Sequence, residues 1–331
     1  MEIKNRLKWI DAARGLAFLM VIYCHIDYCN SSILRFCLPI LLTTFFFVSG
    51  YLYKEKSFLY ILEQRTRGLL LPFLILGSIM ILMTQIVSLK NISLVENIRG
   101  FLFQYGKNQT LWFVAALYVY SLAFYWIERW TIHWNAIFVA LILFVSNCIY
   151  LYWLDGFEFP WHISTIGFGC FYMLIGKLYK KYEKQIDYYM NKKLFILIVV
   201  LYVLFIIILD EGFNFRGSPY VLDSLVVTIL GLIVCVYASK YYLFNNKLLC
   251  FVGANSLFYF AFHGKVYAVL QLLANRIVML YSIEMTWYIE LFIGLIIVLC
   301  DALLLILPAM FINRYFSWIL GKGFTIWKQN K

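Results

Sequence analysis

Three ionisable residues share one apolar stretch near the start of the chain. It reads WIDAARGLAFLMVIYCH and holds Asp11, Arg14 and His25. Charge is costly in hydrocarbon, so each of the three is a functional candidate. Arg14 and His25 are eleven residues apart. At about 100° per residue this is three helical turns plus about 20°, and Asp11 falls about 40° short of four turns from His25. A continuous helix therefore puts all three on one stripe, with about 16 Å between Arg14 and His25 along the axis. On that geometry Arg14 lies near one membrane surface and His25 lies deep. A neutral imidazole can take a proton from a hydroxyl, or act itself as a nucleophile; the residue types leave both open. Asp11 at i and Arg14 at i+3 can pair, the carboxylate orienting the guanidinium. Arginine suits anionic phosphate groups. Gly15, beside Arg14, lets a helix or ligand approach closely.

Further candidates lie downstream. Arg65 and Arg67 precede the third apolar run, where they serve as anion ligands or as ordinary topological charge. Trp112 can stack on a ring or anchor the interface. His263 interrupts a late apolar run, and Ser49 suits close helix packing. The eight cysteines include no C-x-x-C pair, so no zinc or redox motif is expected. Cys29 and Cys37 fall near one membrane face and can pair, although nothing in the sequence requires it.

Such residues need elements to hold them in the bilayer. Of 331 residues, 64% are hydrophobic and 14% charged, too few polar groups to cover a soluble surface of this size. Apolar runs of membrane-crossing length recur throughout. They do not alternate, which excludes a barrel. The expected fold class is an all-α polytopic membrane protein: one domain over 1–331, a bundle of about ten transmembrane helices. Spans are expected near 10–29, 33–53, 69–89, 111–127, 135–154, 162–179, 194–210, 219–239, 252–274 and 287–312. The first is read as a retained span rather than a cleaved leader, because Arg14 and His25 interrupt it. No internal repeat is visible, which weighs against an inverted-repeat transporter.

The net charge of +11 points to topology rather than to nucleic acid. Alternating the loops puts 20 of the 28 Lys and Arg on the side of the N-terminus and 6 on the other, with Arg14 and Lys265 inside spans. The positive-inside rule then makes both termini cytoplasmic. The sequons at Asn30, Asn91 and Asn108 all fall on the outer side.

The pattern Trp9, hydrophobic, Asp11, two residues, Arg14-Gly15, then ten residues and His25 resembles the opening of the acyltransferase-3 family. FFFVSGYL at Phe45–Leu52, LWFV at Leu111–Val114, GCFYMLIGKLYKK around Gly176 and NSLFYFAFHG at Asn255–Gly264 are similar to later marks of that family. The family often carries two arginines three apart before its third span; here the run is Arg65-Thr66-Arg67-Gly68. The resemblance implies a membrane-bound O-acyltransferase of the bacterial cytoplasmic membrane, in the form without the soluble esterase-like domain of some members. It implies acyl-CoA as cytoplasmic donor, most often acetyl-CoA, with no bound cofactor and no metal. The acceptor is a hydroxyl of a cell-surface glycan or its lipid-linked precursor, and nucleic acid is not a partner. His25, Arg14 and Asp11 then form the catalytic group, Arg14, Arg65 and Arg67 hold the donor, and Trp112, His263 and Ser49 face the acceptor. The alternative is a secondary transporter of a glycan or small solute, with Asp11, Arg14, Asp223, His263 and Asp301 as proton or substrate sites.

Overall fold

The computed structural model describes residues 7–87, 93–104, 111–153, 159–208 and 221–323. The sequons at Asn91 and Asn108 and the side chain of Asp223 lie outside the described residues. Every regular element among those residues is helical. In chain order they are α1 (Lys8–Tyr23), α2 (Ser31–Tyr51), α3 (Phe58–Arg65), a π turn (Thr66–Leu70), α4 (Leu71–Val87), α5 (Leu94–Phe103), α6 (Trp112–His133) and α7 (Ala136–Trp153). A 3-10 turn (Pro160–Thr165) leads into α8 (Ile166–Tyr189) and α9 (Lys192–Ile208). Then come α10 (Val221–Ala238), a second π turn (Ser239–Leu243), α11 (Lys247–Ala254), α12 (Ser256–Leu280), α13 (Trp287–Leu304), α14 (Ile306–Tyr315) and a last 3-10 turn (Ser317–Leu320).

A helix lies at each of the expected spans. Five helical paths among the described residues are long and apolar enough to cross a membrane: Ser31–Tyr51, Phe58–Ile86, Leu225–Leu243, Ser256–Leu280 and Trp287–Tyr315. A sixth arises if Pro160–Tyr189 and Lys192–Ile208, bent by 109°, count as one. The protein is thus a helical, multi-pass membrane protein by length and composition.

Several boundaries differ from expectation, α8 for one running to Tyr189 instead of residue 179, and two of them move candidate site residues, each for a local reason. The first helix stops at Tyr23 instead of running to residue 29. Asp27, Asn30 and Ser31 favour turns and caps over helix interior, and the Asn30 side chain accepts from the Ser32 amide at 3.1 Å, starting α2. The third span begins at Phe58, not residue 69. Ser57 caps it by accepting from the Tyr60 amide, and the helix continues through the π turn to Val87. Arg65 and Arg67 are therefore inside a helix rather than in a loop.

The chain divides into two compact units. One comprises residues 1–48, 179–259 and 263–307; the other comprises 49–178, 260–262 and 308–331. In the first, α1 crosses α11 with backbones almost touching. A Cβ on Gly15 would lie 2.0 Å from the Leu249 carbonyl oxygen, and one on Gly253 would lie 1.8 Å from that of Asp11. Ala13, Ile40, Tyr202, Val227 and Cys235 form a buried apolar centre, and the Tyr202 hydroxyl donates to the Phe36 carbonyl at 2.6 Å. Lys240, in the second π turn, donates to Glu183 and Asp187, each at 2.6 Å, tying the end of α8 to α10.

In the second unit, α3 and α4 run antiparallel to α6. Phe58 meets Tyr125 with ring centroids 5.2 Å apart, and Thr66 lies 3.1 Å from the Tyr118 hydroxyl. Lys177 of α8 pairs with Glu128 of α6 and, at 3.0 Å, with Glu55. Helix α5, which the sequence reading did not anticipate, stacks Phe101 on Phe73 at 4.6 Å.

Candidate functional site

Asp11, Arg14, His25 and His263 belong to the first unit; Ser49, Arg65, Arg67 and Trp112 belong to the second. Within the first, Asp11 is buried at 6% exposure, and Arg14 is half-buried one turn later. Phe18 continues their face of α1 by another turn. His25 lies two residues beyond the helix end and is exposed, so it is not held deep on a continuous helix. The turn of chain that ends α1 nevertheless delivers it to His263, whose ring is 5.8 Å away, centroid to centroid, at 87°. Phe18 packs edge-on against His263 at 5.3 Å and against Tyr259 at 5.7 Å.

The two imidazoles are oriented in the same way. Nδ1 of His25 is 2.7 Å from the Val21 carbonyl oxygen, and Nδ1 of His263 is 2.9 Å from that of Tyr259. A carbonyl can only accept, so Nδ1 must be the protonated nitrogen in both rings. Nε2 is thereby left as the basic atom of each, the form a general base or an imidazole nucleophile requires. His263 is buried and His25 is exposed. The sequence placed His263 on the acceptor side; its nearness to His25 comes from the packing of α12 against α1, which no local signal encodes. Nearby, the Cys24 thiol lies against those of Cys29 and Cys37, and all are free.

In the second unit, Arg65 ends α3 and Arg67 sits in the π turn, both half-buried. π turns are uncommon and often accompany functional sites, because the extra residue redirects side chains. The turn is braced by the end of the chain: Gly321, at φ +70°, approaches so closely that a Cβ there would lie 2.1 Å from the Arg67 carbonyl oxygen. Ser49 is buried. The close helix contact expected of it falls to its neighbour Gly50, where a Cβ would be 1.8 Å from the Met173 carbonyl oxygen.

Trp112 begins α6 and faces His162, with ring centroids 4.6 Å apart. His162 was missed in the sequence. It and Trp161 both adopt left-handed backbone, φ 51° and 57°, at a cost of about 1–2 kcal/mol each for residues with a Cβ. The Tyr120 hydroxyl holds the turn, donating to the His162 carbonyl at 2.6 Å, and Trp161 donates to the Leu102 carbonyl at 2.5 Å. The dipeptide Trp161-His162 after Pro160 is a weak signal, because left-handed tryptophan cannot be read from sequence.

A family model described as an acyltransferase domain matches residues 7–319. The chain belongs to the acyltransferase-3 family. No curated protein and no solved structure matches it. The acyltransferase-3 match runs through both units, from the residue before α1 to the last 3-10 turn, and contains every site residue named above. Membership makes the protein an acyltransferase of multi-pass helical form.

Proposed function

We propose that the protein is a membrane-bound O-acyltransferase, most simply an O-acetyltransferase. It moves an acyl group from cytoplasmic acyl-CoA to a hydroxyl of a cell-surface glycan or its lipid-linked precursor. On this reading it lies in a bacterial cytoplasmic membrane, with ten spans and both termini inside. The correspondence of helices with the ten expected spans and the 20 to 6 charge bias support that topology.

The observation that carries the reading is the histidine pair, each imidazole bonded through Nδ1 to its own backbone and basic at Nε2. Two imidazoles with ring centroids 5.8 Å apart suit proton removal from a hydroxyl, which is otherwise a weak nucleophile. His25 takes the proton as the oxygen attacks the thioester carbonyl, or accepts the acyl group and passes it on. His25 follows the outer end of α1, where an acceptor from outside can reach it. Asp11 orients Arg14. In the first unit Arg14 is a donor-phosphate ligand and His263 an acceptor residue; in the second, Arg65 and Arg67 serve the donor and Trp112 and Ser49 the acceptor.

The test is acylation by the purified full-length protein in nanodiscs, with labelled acetyl-CoA and cell-envelope glycans. His25→Gln keeps polarity but cannot take the proton at neutral pH. Its rate is expected to fall at least about a hundredfold, the lower range for losing general acid–base catalysis. Near-normal ester formation by a folded His25→Gln protein would sink this reading. Solute uptake by protein-loaded liposomes, without ester formation, would favour a transporter.

A further inference from the structure

The turn that ends α1 presents a second polar group besides His25. Exposure alternates along it: His25 and Asp27 are exposed, whereas Ile26 and Tyr28 are buried at 4% and 7%. His25 and Asp27 therefore point away from the anchored side of the turn, and at most about 7 Å of backbone separates them. The anchors are firm. The Tyr28 hydroxyl donates to Asn275 of α12 at 2.5 Å. The Tyr28 carbonyl lies against α13, where a Cβ on Gly294 would be 2.5 Å from its oxygen. Asn30 donates through its side chain to Glu290 of α13 at 3.2 Å and through its amide to the Tyr23 hydroxyl at 3.1 Å. Two helices thus fix the direction in which His25 and Asp27 are held.

Helix α12 supplies the facing wall. Tyr267 lies one turn beyond His263, with ring centroids 5.8 Å apart, and the His263 ring is 5.8 Å from that of His25. Tyr267 is half-buried, and its hydroxyl is close enough to the Asp27 carboxylate for the two to interact electrostatically. Among the described residues no hydrogen bond or ion pair engages that carboxylate. An ionised carboxylate accepts hydrogen bonds through two oxygens and donates none, while an aromatic ring offers a flat apolar face. A sugar ring matches both, with adjacent hydroxyls for the oxygens and a C–H face for the ring.

We propose that Asp27 and Tyr267 form an acceptor subsite that binds a neutral sugar residue through a vicinal diol. The inference rests on the acyltransferase reading of the histidine pair, and adds to it the groups that hold the acceptor. The two Asp27 oxygens accept hydrogen bonds from neighbouring hydroxyls of the sugar. Tyr267 packs against its C–H face, and a further hydroxyl of the same ring is presented to Nε2 of His25. The fixed negative charge also rejects an acidic sugar at this position, because two carboxylates in one subsite repel. Asp27 takes no part in moving the proton, which remains the task of His25. Its contribution is to bind and orient the acceptor.

The test is ester formation by the full-length protein in nanodiscs, with labelled acetyl-CoA and a cell-envelope glycan fraction, read as the apparent Michaelis constant for each substrate. Asp27→Asn removes the charge and one acceptor oxygen. It is expected to raise the constant for the glycan at least about tenfold, the lower range for losing a hydrogen bond to a charged group, and to leave that for acetyl-CoA unchanged. Asp27→Glu keeps the charge and both oxygens, and should recover part of the affinity. Tyr267→Leu should raise the glycan constant, and Tyr267→Phe, which keeps the ring, should raise it less. Asp27 is exposed, so its variants report on the subsite even if those at Tyr267 fail to fold. Both constants rising alike in Asp27→Asn would overturn the proposal, since a merely structural role does not distinguish the substrates. So would a lower turnover with the glycan constant unchanged, and equal effects of Tyr267→Leu and Tyr267→Phe would remove the ring from the subsite. Normal glycan affinity in Asp27→Asn beside an inactive His25→Gln would sink this inference alone; a normal rate in His25→Gln would sink the reading beneath it.

Discussion

Replacing Gly253 by alanine tests how the α1–α11 crossing holds the Asp11–Arg14 turn. The added Cβ would lie 1.8 Å from the Asp11 carbonyl oxygen and 2.7 Å from the Gly15 nitrogen. Both neighbours are backbone, so no rotamer change relieves the clash. Ordinary contact begins at 3.4 Å, so the helices must part by about 1.6 Å along that line. Overpacking of this kind costs about 1–3 kcal/mol. Moving a catalytic group by about 1 Å can cost about a hundredfold in rate. The expected outcome is a folded but less stable protein whose acylation falls far more than its stability accounts for. Gly15→Ala meets the Leu249 carbonyl oxygen at 2.0 Å in the same crossing. Once the first substitution has parted the helices, the second has less left to disturb, so the double variant should cost less than the sum of the singles. Thermal unfolding in nanodiscs and acetyl transfer rates, measured on all three variants, provide the assay. An unchanged melting temperature and rate in Gly253→Ala would refute the argument; strictly additive losses would show that the two glycines do not serve one contact.

Other expectations follow from the second unit. Gly321→Ala combines a left-handed φ of +70° with a clash at the Arg67 carbonyl; if Arg67 holds the donor, the Michaelis constant for acetyl-CoA should rise more than that for the glycan. Tyr120→Phe removes the hydroxyl that donates to His162, and should cost about 1 kcal/mol of stability, read as a lower unfolding midpoint, while weakening acceptor use if Trp112 and His162 form the acceptor side. The Lys177 ammonium beside Glu55 holds that carboxyl below the usual carboxylate range. A depressed folded value means the pair stabilises above the ordinary value of about 4.3 and the benefit is lost as pH falls through the folded value. Glu55→Gln should therefore flatten the acid side of the stability profile; because Glu55 is largely exposed, the effect should be small, and an unchanged acid limb would show that the pair contributes nothing.

The sequence by itself determined the class of the protein, since its apolar runs and charge asymmetry admit only a helical membrane protein. It also determined the family, through the Asp11, Arg14 and His25 spacing, because that signal is local and contiguous. Ideal helix geometry carried the reading as far as Tyr23 and no further. Turn chemistry at Asp27 and Asn30 broke the helix, and left His25 exposed at its end. The same local effects, a Ser57 cap and a π turn, moved Arg65 and Arg67 from an expected loop into a helix. Only the tertiary structure decided that His263 stands beside His25 and that Gly15 and Gly253 serve one crossing. These facts depend on which helices pack together across more than two hundred residues of chain. Periodicity gives the face a helix presents, but in a chain apolar on nearly every face it does not say which neighbour that face meets.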